Sequence, residues 1–176
     1  MKTALDSNTL TYLLNITHPD YEEGCCELEE VYKMVLRSFL YQKDLFYLPP
    51  TVVTEYKRIR KNNEKRKKHD VFAMVNMLDI LGLNQVNVNV RADEFNKHHK
   101  GGQDCSILAE CEEGKIDYLL TYDGDFYKDL VDKTQYTKLL FPSDYWALLA
   151  IPKRSEPTRV PHASNPLLQK SHLWAW

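Results

Sequence analysis

Apolar residues recur along this chain at two spacings, and segments of the two kinds alternate. Residues 1–5 form a short apolar run that ends at Asp6, as a strand would, and residues 7–14 then predict a helix. Leu28, Val31, Tyr32, Val35, Leu36 and Phe39 recur at steps of three and four, which predicts a long helix over 20–42. Its opening is acidic (Asp20, Glu22, Glu23, Glu27, Glu29, Glu30), which suits the positive end of a helix dipole. Residues 45–48 predict a second strand, stopped by Pro49-Pro50, and 51–61 resume as a helix carrying Glu55. Val71, Met74, Val75, Leu78 and Leu81 make an apolar stripe that predicts a helix over 64–81, with Gly82 as its C-terminal cap. Residues 85–90 alternate polar and apolar, as a half-buried strand does. A helix over 103–113 closed by Gly114, a strongly apolar strand over 116–121, a turn and helix over 123–132, a strand over 138–141 and a helix over 143–150 complete the pattern.

Strands alternating with helices predict an α/β fold, a parallel sheet with helices on both faces. In such sheets ligands sit beyond the carboxyl ends of the strands. Asp6 and Asp123 each follow a predicted strand, so the pattern alone puts both at that edge.

Residues 151–176 depart from this pattern. They hold four of the eight prolines (Pro152, Pro157, Pro161, Pro166) and no apolar periodicity, so we expect residues 1–150 to form one domain and 151–176 a Pro-rich, non-helical tail. Leu167, Leu168, Leu173, Trp174 and Trp176 are too apolar for a solvated linker, which predicts that the tail docks in extended form on its own domain or on a second subunit.

A net charge of −2 over 176 residues gives no global sign of nucleic-acid binding, so that case rests on local charge. Residues 57–69 read KRIRKNNEKRKKH, with eight Lys or Arg against Glu64 as the sole acid. Lys57, Arg58, Lys65, Arg66, Lys67 and Lys68 directly follow Glu55. A phosphodiester backbone approaching a carboxylate pocket needs such cations. His98, His99 and Lys100 read as a polar loop before Gly101-Gly102, able to add to that rim but not a metal site. Cys25, Cys26, Cys105 and Cys111 lack zinc-ligand spacing and read as buried free thiols. No apolar run spans a bilayer and no signal-peptide pattern is present, which implies no membrane and a cytoplasmic protein.

Four acids stand at strand ends or helix starts: Asp6 in ALDSNTL, Glu55 in PPTVVTEYKRI, Asp104 in GGQDCSILAE and Asp123 in YLLTYDGDF. Singly, each reads as a helix cap, a turn residue or a solvated carboxylate. Together they repel one another unless they hold a cation, and carboxylate oxygens suit Mg²⁺ or Mn²⁺. The set resembles the PIN-domain nucleases, especially the VapC-like toxin ribonucleases. A strand leads to Asp6-Ser7-Asn8, a Glu follows the second strand, Asp104 opens a D-x-x-I/L-x-A helix, and LLTYDGDF supplies T-x-D-x-D-F. The match runs from residue 1 to about 141. Cys105 and Ser106 stand where small apolar residues are usual, and the tail has no counterpart in the family.

That resemblance implies a PIN-like three-layer αβα fold and a Mg²⁺- or Mn²⁺-dependent endoribonuclease, a toxin with a cognate antitoxin and a tendency to pair as a homodimer. Asp6, Glu55, Asp104 and Asp123 would be its catalytic acids. Asp6, Asp104 and Asp123, with Asp125 as an auxiliary or merely a turn residue, would be its metal ligands. Asn8 and Thr121 would hydrogen-bond those carboxylates, and Asp6, Asp104 and Asp123 should converge within coordination distance, with Glu55 nearby. The alternatives are a non-catalytic RNA-binding PIN fold, which the full acid set argues against, and a haloacid-dehalogenase-like phosphatase, in which Asn8 would replace the second Asp. A receiver domain would need a late Lys-Pro where this chain has Phe141-Pro142.

Overall fold

β1 (Thr3–Leu5) lies at the centre of a parallel sheet and is buried along its whole length. The computed structural model describes residues 1–18, 21–24, 27–61, 77–159 and 166–176. Among them β1 is flanked by β2 (Phe46–Leu48) and β4 (Tyr118–Leu120), with β3 (Met77–Asp79) outside β2 and β5 (Lys138–Leu140) outside β4. The register sets Leu5 beside Leu120 and Ala4 beside both Tyr47 and Leu119. Ala4, Leu5, Leu119 and Leu120 are wholly buried, the condition under which a parallel sheet is stable.

The chain builds outward from β1 to β3 on one side, then crosses over to build β4 and β5 on the other. Right-handed crossovers running in opposite directions place their helices on opposite faces. The order therefore reverses between β1 and β4, where open α/β sheets leave a crevice at their carboxyl edge. The helices are α1 (Ser7–Ile16), α2 (Glu29–Tyr41), α3 (Pro50–Lys61), α4 (Gln85–Phe95), α5 (Gly102–Glu113), α6 (Gly124–Leu130) and α7 (Pro142–Leu149). α2 packs along α1 and α7, and α5 along α3 and α4.

Four expectations need correction. The alternation over 85–90 is not a strand but the first half of α4. Asn84 caps it by accepting from the Val86 and Asn87 amides, and burial follows Val88, Ala92 and Phe95 at helical spacing while Val86 and Val90 stay exposed. The third strand comes earlier. Met77–Asp79, expected as the end of a helix, pairs instead with Phe46–Leu48, and Ile80 extends the ladder to the Leu48 carbonyl. Leu81 is left exposed, and Gly82, at φ +72°, turns the chain after a strand rather than capping a helix. The helix expected from 20 begins only at Glu29, since Gly24 sits at φ +73° in a turn.

The tail differs too. Pro166–Leu173 is a 3₁₀ helix interrupted at Lys170, not an extended strand. It docks on its own chain: Leu167, Leu173 and Trp174 join the core, and the Trp176 ring meets Trp146 edge to face at 5.3 Å, with the Arg37 guanidinium over it. The indoles donate to the Leu167 and Ile151 carbonyls, so both polar atoms are satisfied. Val71, Met74, Val75, Cys25, Cys26 and Pro161 lie outside the described residues, while Cys105 and Cys111 are buried free thiols.

Candidate active site

Asp6 is the first residue past β1 and the N-cap of α1, and both facts follow from the sequence. Its amide extends the β1–β4 ladder to the Leu120 carbonyl (3.0 Å), and its Oδ1 accepts from the Thr9 amide (2.6 Å). Only 3% of Asp6 is exposed. Burial pushes its carboxyl up from an ordinary 3.8 to about 6; the Asp104 charge adds to this, against hydrogen bonds from Thr121 and Thr9.

Thr121 links the two halves of the edge. Wholly buried at the end of β4, it hydrogen-bonds Asp6 through its side chain and accepts from the Asp123 amide (3.1 Å). Asp123 is the N-cap of α6, its Oδ1 accepting from the Asp125 and Phe126 amides at 3.0 and 2.9 Å. Asp125 is exposed in the first turn of α6, and Phe126 is fully buried. The Tyr12 hydroxyl is pushed up by burial, by Tyr32 and then by the charge of Asp6, with Tyr122 and Asp123 adding less.

Glu55 approaches from the other flank. Pro50 opens α3 and sets Glu55 on its second turn, half-buried, where the Ser7 hydroxyl donates to Oε2. Asn8, expected to hydrogen-bond a carboxylate, is exposed, and Ser7 beside it makes the bond that joins α1 to α3. Lys57 and Arg58 are exposed on the same helix. Arg58, Glu55, Gln103 and Glu110 line an open pocket of about 250 Å³. Glu110 is raised by burial and accepts from the Thr51 amide and hydroxyl, closing the start of α3. Lys65, Arg66, Lys67 and Lys68 lie outside the described residues.

Asp104 occupies the first turn of α5, one-third exposed, where a helix dipole favours an anion. Its Oδ2 meets His99 Nε2 at 3.1 Å, and His99 Nδ1 meets Asp129 Oδ2 at 3.0 Å. His99 is therefore not the solvated loop residue its His-His-Lys context suggests, for it is 9% exposed. Burial works against a charged ring, but hydrogen bonds to Asp129 and Asp104, and their charges, outweigh it and hold His99 above the ordinary histidine range. The sequence signal was the glycine that follows. A Cβ at Gly101 would collide with Asp104 Oδ2 and His99 Nε2.

Four acids thus rim the carboxyl edge, but each is turned to a local partner: Asp6 to Thr9 and Thr121, Glu55 to Ser7, Asp104 to His99, Asp123 to its own helix. Among the described residues no three His, Cys, Asp or Glu side chains gather closely enough to hold a metal ion, so the expected convergence within coordination distance is not seen. The donor chemistry still fits a hard divalent cation. Asp6 is an acid with no cationic partner among its hydrogen bonds, and Asp104 is close enough to raise it. The soft candidate is disabled, since burial and then the Asp104 charge push the Cys105 thiol to about 11.

No family model and no curated protein matches this sequence. Solved structures do. VapBC2 from Rickettsia felis, crystallised with a DNA fragment from their promoter, aligns over 80% of this chain and 98% of its own, with a TM-score of 0.51 and 16% identity. FitAcB from Neisseria gonorrhoeae aligns over the same shares, with a TM-score of 0.52 and 16% identity. Likeness at that identity speaks to fold, and the chain has the PIN-like αβα fold that its motifs imply.

Proposed function

We propose that this protein is a Mg²⁺- or Mn²⁺-dependent endoribonuclease, the toxin of a pair with a small antitoxin. One observation carries the reading: a fully buried acid, Asp6, held near 6 at the sheet's switch point and sensitive to the charge of Asp104. A structural cap has no need of burial in a second acid's field. Asp6, Glu55, Asp104 and Asp123 would hold the ion, with Asp125 able to join from the α6 turn. Bound there, it would polarise a scissile phosphate and lower the pKa of an attacking water. Thr121 orients Asp6 and Asp123, and Ser7 orients Glu55. Lys57 and Arg58 offset the acids' repulsion of an RNA backbone, as Lys65 to Lys68 would.

The neighbours support the partner side of the proposal, being complexes, one of them with promoter DNA. A cognate antitoxin, RNA as substrate, self-pairing and a cytoplasmic site of action belong to the same reading. Among the described residues no helix is long and apolar enough to cross a membrane.

The test is cleavage of a mixed RNA pool with Mg²⁺, with Mn²⁺ and with chelator, by the wild type beside Asp104→Asn. The wild type should cleave only with metal. Asp104→Asn should lose more than the roughly 10–100-fold that removal of an outer hydrogen-bond partner costs. Equal turnover of the two at saturating Mg²⁺ would leave Asp104 as a first-turn acid of α5 that only pairs with His99. RNA retention by the wild type without cleavage under any metal would favour the binding-only alternative.

A further inference from the structure

His99 is held on three sides by groups from two helices. Its ring stacks on Phe126 of α6 with centroids 5.8 Å apart. Nδ1 is engaged by Asp129, also on α6, and Nε2 by Asp104 on α5. Both ring nitrogens are therefore used, and the ring cannot turn without giving up both bonds. The loop that carries it is fixed as well: the His99 amide donates to the Phe95 carbonyl (3.0 Å), and the Cys105 thiol donates to the His99 carbonyl (3.7 Å). Gly101 completes the arrangement, since any side chain there would push His99 and Asp104 apart.

We infer that His99, anchored by Asp129, is a positioning residue for Asp104. It occupies Oδ2, fixes the carboxylate's rotamer and leaves Oδ1 for a ligand. The inference rests on the nuclease reading, in which Asp104 binds metal. A carboxylate one-third exposed on a helix's first turn has several rotamers open to it, and an outer partner that selects one raises its competence as a ligand. Asp129 then matters at one remove, by holding the imidazole in the orientation that faces Asp104. The alternative is that His99 only ties the loop to α6.

Three variants of the full chain separate these. His99→Phe keeps a ring on Phe126 but offers Asp104 no hydrogen bond. His99→Gln keeps an amide that reaches about as far as Nε2. Asp129→Asn leaves the imidazole in place and removes the anchoring charge. Mn²⁺ affinity, read by electron paramagnetic resonance, and the separate kcat and KM for RNA are measured beside the melting temperature without metal. His99→Phe and Asp129→Asn should weaken Mn²⁺ binding by about 10-fold or more and lower kcat, with KM for RNA little changed and His99→Gln recovering part of the loss. Should His99→Phe fail to fold, Asp129→Asn and His99→Gln carry the comparison. Wild-type Mn²⁺ affinity and kcat in both of these would overturn the inference. If Asp104→Asn also binds Mn²⁺ like the wild type, the nuclease reading falls with it. If Asp104→Asn loses Mn²⁺ while the His99 and Asp129 variants keep it, only the role of His99 falls.

Discussion

Thr3 at the amino end of β1 and Asp6 just past its carboxyl end are three residues apart and are built on opposite principles. At the amino end, Thr3 shares a 2.7 Å hydrogen bond with the Tyr145 hydroxyl, which also donates to Gln42. Arg159, from the tail, donates to the Phe39 and Gln42 carbonyls at the end of α2 and to the Asp44 carbonyl. A cation at a helix C-terminus is favoured by the dipole, and the tail's Thr158 hydroxyl accompanies it on the Leu40 and Gln42 carbonyls. The buried polar groups Thr3, Tyr145 and Gln42 end there on neutral partners, and the ion pair of the Met1 ammonium with Asp44 is left at the exposed margin. At the carboxyl end, Asp6 is just as buried, but its partners are an amide and a hydroxyl, and its nearest strong field is another acid. One end of the strand consolidates the fold. The other holds charge at a cost, as the proposed metal site would require.

The largest effects should therefore have opposite signs at the two ends. Asp6→Asn removes the buried charge and keeps the cap, since an Asn oxygen can accept from Thr9. We expect RNA cleavage to fall by at least about 100-fold while stability without metal at pH 7 rises, by up to about 3 kcal/mol from the shift in Asp6. A lower melting temperature for this variant would break the comparison. Leu173→Ala, in the docked tail, should do the reverse. Losing a wholly buried leucine should cost about 2–5 kcal/mol, with Mn²⁺ affinity per folded molecule unchanged. An Mn²⁺ affinity that tracks the stability loss would mean the two ends are coupled.

Acidity sharpens the contrast. Folded Asp6 holds its proton to about pH 6, whereas the unfolded chain releases it near 3.8. Metal-free stability should therefore fall as pH rises from about 4 to 6, by about 3 kcal/mol in all, and the Asp6 contribution should then level off. His99, also held above its ordinary value, extends the fall past 6.5 as the folded protein gives up that proton. Denaturant titrations across pH should shrink the lower limb in Asp6→Asn to the share that Glu110, also raised by burial, contributes, and keep the upper limb. Identical curves for variant and wild type would show that Asp6 titrates normally.

The smallest expected effect is at the rim. Replacing Lys57 and Arg58 with Gln should reduce the salt slope of RNA binding by about 1.4, at roughly 0.7 per single-strand phosphate contact, with metal affinity intact. Fluorescence anisotropy at several salt concentrations in chelator reads this directly, and an unaltered slope would make these residues plain surface.

Among the described residues four of the five strands lie within a few residues of where hydrophobic periodicity puts them, and Asp6 and Asp123 stand at the carboxyl edge because each follows a buried strand. What the pattern could not show depended on partners. Asn-Val-Asn-Val reads equally as strand or helix until the Asn84 cap decides, and Met77–Asp79 becomes a strand because the β2 edge is there to pair with it. The tail's prolines forbid an α-helix but not a 3₁₀ turn that buries Leu173 and Trp174. Carboxylate rotamers were equally hidden, since each acid's orientation is set by a nearby hydroxyl, amide or imidazole. His99 is the sharpest case: its neighbours in sequence are polar and exposed, and its neighbours in space come from α5 and α6.

Gly101 and Gly102 look like one flexible hinge, but they answer to different constraints. The first has φ −79°, a value any residue adopts, and is barred to larger residues only by what crowds its missing side chain. The second has its nearest neighbour at 3.8 Å, an ordinary contact distance. Under random drift the pair should diverge: position 102 is free to accept alanine or serine, while position 101 stays fixed for as long as the imidazole and the carboxylate beside it must touch.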